Sequence, residues 1–365
     1  MTIPAFPQIY DPSLDQPEKD EVETSEAITQ QMIGIADKTF ADGRHAIRSV
    51  HAKSHGLIIA ELEVLDNLPD QLAQGLFAQP AKYPAVMRFS TIPGDIIDDA
   101  VSTPRGLAIK IVGVEGERLE GSEDAVTQDF VMVNAPQFGA SNGKAFLRSL
   151  KLVALTTDHA EGAKKALSAV MRNVEKVVET FGGESGLAKS LGGEPPNNIL
   201  GETFFAQLPL RYGEHIAKLQ LVPVSPELTA LTDEPVALGE DSNALRQAVI
   251  SHFQSHGGAW ELRVQLCANL NDMPIDDPTR VWDEEQSAFT TVARLTAAPQ
   301  TAWSLERSTA IDDGMGFSPW HGLAAHRPLG ALMRMRRQAY AASQRFRSER
   351  NQTPVSEPTT LNGIL

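Results

Sequence analysis

The 365-residue chain is short of several residue patterns that would mark common kinds of site. It has one cysteine, Cys267, so an intrachain disulfide and any cysteine-rich zinc or iron–sulfur centre are excluded. It has no excess of positive charge: 32 Lys and Arg stand against 47 Asp and Glu, a net charge of −15. A general nucleic-acid binder needs a basic surface to neutralise phosphate, so nucleic acid is not an expected partner. No run approaches the roughly 20 apolar residues of a membrane span. The opening MTIPAFPQIYDPSLDQ lacks the basic start and apolar stretch of a signal peptide. There is no internal repeat. The rest is ordinary for a globular protein, with 42% hydrophobic and 22% charged residues. The expectation is a soluble cytoplasmic protein of one large domain or two ordinary ones.

What is present falls into blocks. Residues 1–43 hold four prolines and nine acidic residues against two lysines. They suggest an extended arm, with one short helix over SEAITQQMIGIADKTF and Ser25 as its N-cap. Such an arm suits contact with a second subunit, so a homodimer or homotetramer is expected. From residue 50 to 135 strands and turns dominate. In GLIIAELEVL, Ile58, Ala60, Leu62 and Val64 share one face, with Glu61 and Glu63 opposite. YPAVMRFST, RGLAIKIVGV and DFVMVNAP are further strands. KAFLRSLKLVAL and AKKALSAVMRNVEKVVETF carry apolar residues at helical spacing. TFFAQLPLRYG, HIAKLQLVPV, WELRVQLCAN and SAFTTVARLTA return to strand patterns, with a helix over NALRQAVISHFQSHGG among them. A last helix is expected to start at Pro328. Strands, helices, strands and a final helix point to an α+β protein with an antiparallel sheet.

Two stretches carry chemistry. RSVHAKSHG places His51 and His55 four apart, but in a strand that spacing is about 13 Å, too far for one metal; His55 is read as a rim residue. The terminal helix holds seven arginines between Arg327 and Arg350 against one acid, Glu349. A solvated basic face is the common explanation; an internal anion site is the other. Arg336 and Tyr340 stand at i and i+4 on one helical face. An adjacent guanidinium favours the ionised form of a phenol, and a phenolate is a hard donor suited to ferric iron. His321 and His326 are read as capping or packing residues, His215 as a buried structural histidine, and Cys267 as sheet packing.

In order along the chain, RSVHAKSHG, MRFST, STPRGLAIKI, YGEHIAKL, DDPTRVW and the final RxxxY resemble the hallmark segments of the haem-catalase superfamily. FSPWHGLAAHRPLG resembles its small catalase-related haem proteins more than full-length catalases. The resemblance covers about Arg44 to Arg350. It divides the chain into an arm (1–43), a haem-binding domain (44–350) and a tail (351–365). It implies an eight-stranded antiparallel barrel with surrounding helices, and haem b between the barrel and the C-terminal helix. His51 then matches the distal histidine and Ser90 the serine that orients its ring. Arg48, Arg88 and Arg347 match arginines that pair with haem propionates. Tyr340 matches the axial iron ligand, with Arg336 beside it. Val50 and Phe138 are expected against the haem. Peroxide and a small organic reductant are the implied partners.

Two departures matter. Catalases carry an asparagine in the pocket in a GNNTP-like segment; EDAVTQDF puts Val126 or Thr127 there, so Thr127 is the nearest substitute. The given sequence stops soon after the last helix, which implies a shorter, wider channel. Peroxidase activity with weak catalase activity is therefore the expectation. An allene oxide synthase type of fatty-acid hydroperoxide conversion is one alternative, disfavoured by Val50 where those relatives carry threonine. A non-catalytic haem-binding protein is the other.

Overall fold

A computed structural model describes residues 3–156, 194–362 and 364. Nine strands form one sheet: β1 Ser54–Val64, β2 Lys82–Thr91, β3 Arg105–Val112, β4 Thr127–Val133, β5 Phe204–Phe205, β6 Leu210–Tyr212, β7 His215–Pro223, β8 Gly258–Leu266 and β9 Thr290–Ala297. Each strand pair is antiparallel. The strands β1 to β4 run in sequence order, and β5 pairs with both β4 and β7. With β1 also pairing β9, eight strands close on themselves, and β6 hangs outside on β7. Closure removes the exposed edges that an open sheet of this size would present.

The period-2 pattern dictates the two sides of the barrel wall. Ile58, Ala60, Leu62 and Val64 of β1 turn inward, as do Trp260, Leu262, Val264 and Leu266 of β8. Phe89, Ile109, Phe130 and Leu219 complete the filling. The alternate residues of β2, β3 and β4 form an outer face: Val86, Arg88 and Ser90, then Ala108 and Lys110, then Thr127 and Asp129. One irregularity sits at its rim. β1 slips register between Ser54 and Gly56, so His55 is the extra residue of a bulge. His55 is not at the rim, as its spacing suggests. It is fully buried, with Nε2 3.2 Å from the Thr91 hydroxyl.

Ile311, Met315, Phe317 and Leu361 pack on this outer face against Val86 and Ala108. The helices among the described residues are α1 Glu21–Gly43, α2 Gly143–Thr156, α3 Pro226–Thr229, α4 Ala244–Phe253, α5 Leu305–Ser308 and α6 Ala331–Asn351. The expected arm is thus a long helix over 21–43. Ser25 lies inside it rather than at its N-cap; its hydroxyl donates to Met335 O of α6 at 3.0 Å. Ile28 and Met32 of α1 pack on Met335 and Ala339 of α6, so the helix covers its own chain. The last helix starts at Ala331, three residues later than Pro328, with Gly330 as N-cap. Gly330 has φ +90°, a conformation that favours glycine. The helix expected over AKKALSAVMRNVEKVVETF lies outside the described residues. Among the described residues no helix is long and apolar enough to cross a membrane.

Candidate functional site

His51 stands just ahead of β1, with φ +54°. A non-glycine residue there is uncommon and carries local strain. Its N–H donates to Ile92 O at 2.7 Å, which ties it to the end of β2. Its ring Nδ1 lies 3.1 Å from the Ser90 hydroxyl, and that hydroxyl lies 3.4 Å from Gly106 O. With Ser90 donating to Gly106, its oxygen accepts Nδ1–H from His51. Nε2 is then left as the basic nitrogen.

Gly106 completes the seat. A Cβ on it would fall 2.3 Å from His51 Nδ1 and 2.4 Å from Cε1. The ring lies on bare backbone, which explains a glycine inside a buried strand. Replacing Gly106 with alanine must push the ring off Ser90. We expect a loss of about 1–3 kcal/mol from overpacking, read by chemical denaturation.

Burial lowers the His51 pKa to about 3, helped by the charges of Arg88, Arg336 and Arg48. The imidazole is therefore neutral near pH 7 and able to accept a proton.

Arg48, Arg88 and Arg347 converge on one turn, Thr309–Asp313, which is wound as a π-helix. Arg88 Nε donates to Asp312 Oδ1 at 2.6 Å, and Arg48 Nη1 reaches the same oxygen at 3.3 Å. Arg48 also donates to Asp312 O and Met315 O, and Arg347 to Asp312 O and Met315 O. Burial alone would raise the Asp312 pKa. Arg88 and Arg48, with the hydrogen bonds from Ser54 and Arg88, outweigh it and hold it at about 2. Burial pushes Arg347 down to about 10, with Arg88 adding to the effect.

Nothing in AIDDG distinguishes Asp312 in the sequence; only the fold shows it as the carboxylate shared by two of these arginines. Removing it leaves buried guanidinium charge uncompensated. Asp312→Ala should cost about 3–5 kcal/mol in a urea melt. Because this carboxylate is ionised above its lowered pKa, its contribution is present above pH 3.8 and fades as pH falls through about 2.

A cleft opens beside this cluster, lined by Arg48, Val50, Phe317, Tyr340 and Arg347, with Met32 from α1. Arg336 Nη2 donates to the Tyr340 hydroxyl at 2.7 Å, so the i, i+4 pair read from the sequence is formed. Phe138 does not line the cleft; its ring sits 5.3 Å from Phe146, in a cluster with Leu208, Leu332 and Met333. Thr127 is fully buried and donates to Glu357 at 2.6 Å. Gly106 pairs with Val133 and Val112 with Thr127, so Thr127 is six residues, about 20 Å, along β4 from the level of His51. His321 is neither a cap nor simple packing: it lies 3.2 Å from Asp129 and 3.1 Å from Glu357. His326 is packed as expected, buried against Phe77 and Phe130.

The donors present fit a haem. Arg347 Nε is buried without a partner, so the cluster has a donor to spare for an acidic group. Tyr340 offers an oxygen donor, and His51 a neutral base. The cleft is narrow, with a volume of about 60 Å³.

No family profile matches the chain, and no curated protein does. Solved structures do. A fungal catalase superposes with a TM-score of 0.60 at 17% identity, over 89% of this chain and 68% of its own. Catalase A from Saccharomyces cerevisiae gives 0.59 at 17%, over 90% and 70%. A bacterial catalase gives 0.60 at 15%, over 90% of this chain and 63% of its own. The fold is therefore the catalase fold, a closed eight-stranded antiparallel barrel with surrounding helices.

Proposed function

We propose that the chain is a haem-dependent enzyme acting on peroxide: a peroxidase that uses a small organic reductant and has weak catalase activity. The observation that carries this reading is the His51–Ser90–Gly106 unit beside the cleft lined by Tyr340, whose hydroxyl Arg336 holds. Val50, the residue before His51, lines that cleft, and the charge of Arg336 acts on the His51 ring.

Tyr340 would hold the haem iron through its phenol oxygen, and Arg48, Arg88 and Arg347 would hold the propionates. Haem, when bound, supplies a ferric iron that takes up peroxide and stores its oxidising equivalents. His51 Nε2 takes the proton from one peroxide oxygen and returns it to the other, so that water leaves. Ser90 keeps the ring turned for both transfers. Arg336 holds the Tyr340 oxygen in place.

The choice of peroxidase over catalase rests on what stands near His51. Dismutation needs a second peroxide to be oriented, and Thr127, the residue expected to do so, lies about 20 Å along β4 from the level of His51. The test is peroxide consumption by the haem-loaded chain, with and without an aromatic donor. Donor oxidation should dominate and oxygen release should be slow. Fast oxygen release would make it a catalase instead. Conversion of a fatty-acid hydroperoxide without reductant would favour the allene oxide synthase type. No reaction at all would favour a haem carrier.

A further inference from the structure

The segment after α6 carries a contact that neither haem nor peroxide explains. Gln352, at φ +53°, turns the chain back towards the barrel. Ser356 N donates to Gly314 O at 3.0 Å, and Leu361 joins Leu57, Val86, Ile311 and Phe317 on the outer face. Between these anchors Glu357 sends its carboxylate into a pocket built by three separate segments. Lys110 Nζ of β3 touches it closely, Thr127 Oγ1 of β4 donates at 2.6 Å, and His321 Nδ1 lies at 3.1 Å. Lys110 and Thr127 are both fully buried.

Glu357 joins a set of paired charges in this pocket. Asp129 faces Lys110 at 2.7 Å and His321 at 3.2 Å. Against burial, which lowers it, Asp129 and Glu357 push the His321 pKa up to about 9, so the ring is charged near neutral pH. With Glu357 in place, the two cations Lys110 and His321 pair with the two carboxylates Asp129 and Glu357. Arg118, behind Thr127, donates to its carbonyl at 2.5 Å and adds further positive charge. Asp129, His321 and Glu357 also lie close enough together to hold a metal ion. The Lys110 ammonium already binds both carboxylates and takes the cation's place.

We propose that Lys110, Thr127 and His321 form a binding pocket for a monocarboxylate ligand, with Glu357 as a built-in occupant that such a ligand displaces. The pocket borders the cleft, since Lys110 Nζ lies 5.4 Å from the centre of the Phe317 ring. A displacing ligand would lay its apolar body on the patch that Leu361 covers. The pocket needs no haem, so it stands apart from the proposed activity.

The test uses the full chain and acetate as the probe, with chloride at matched ionic strength as control. Glu357→Ala should melt below the wild type. Acetate should raise its melting temperature saturably and by more than that of the wild type, where Glu357 competes, leaving the Lys110→Met, Glu357→Ala double variant at its chloride value. Equal effects of acetate and chloride on Glu357→Ala would overturn the proposal. If Glu357→Ala does not fold, hydrogen exchange over 353–361 of the wild type decides. Faster exchange in concentrated acetate than in chloride supports displacement, and equal exchange overturns it.

Discussion

Tyr340→Phe should lose haem while keeping its fold. The hydroxyl is held by the Arg336 guanidinium at 2.7 Å, and its removal takes away one side-chain hydrogen bond in a partly open cleft. That costs the fold about 0.5–1.5 kcal/mol. For haem the expected change is of another order, because the oxygen proposed to hold the iron would be gone. Removing groups that only orient a metal ligand weakens binding about 10–100-fold, so removing the ligand should exceed that. A titration with ferric haem followed by absorbance measures it, and circular dichroism confirms the fold. Equal affinity in wild type and variant would remove Tyr340 from the site.

His51→Ala should give the opposite pattern: haem retained, peroxide chemistry lost. A positioned acid–base group contributes about 10²–10⁴-fold, and stopped-flow mixing of the loaded protein with peroxide should show a drop of that size. The pH dependence follows from the direction of the shift. A base must be neutral to accept a proton, and His51 is neutral above about 3. The wild-type rate should therefore stay level from about pH 5 to 8 and fall only in strong acid. A rise centred near the ordinary histidine value of about 6.5 would mean that the ring is solvated rather than buried between Ser90 and Gly106. Ser90→Ala keeps the imidazole but loses the hydrogen bond to Nδ1, so it should fall between wild type and His51→Ala.

The barrel was legible because its strands obey a strict alternation. Ile58 to Val64 and Trp260 to Leu266 put every second side chain into the core, and the turns carry glycine and proline. Alternation fails where the backbone departs from the period. The bulge at His55 turns a residue that spacing places at a rim into a fully buried one. The N-terminal helix was half legible. Its prolines and acids suggested an arm, but Ile28, Met32 and Ile35 recur at helical spacing and bury against α6 and its surroundings.

At the site, His51, Ser90, Arg336 and Tyr340 could be read because each sits in a recognisable segment. Asp312 and Glu357 could not. Each acts on residues far away in sequence: Asp312 on Arg48 and Arg88, Glu357 on Lys110 and Thr127. A single acidic residue in a polar loop gives no sign of such partners. The same holds for His321, read as a capping or packing residue, while its ring pairs with Asp129 and Glu357.

The central claim is that this cleft holds haem through the Tyr340 oxygen, with His51 on the opposite side. Resonance Raman spectroscopy of the full chain loaded with ferric haem tests it most directly. We predict one haem per chain, with phenolate vibrations enhanced by the iron and shifted when the tyrosines carry deuterated rings. A loaded protein without phenolate bands, or with bands that persist in Tyr340→Phe, would contradict it.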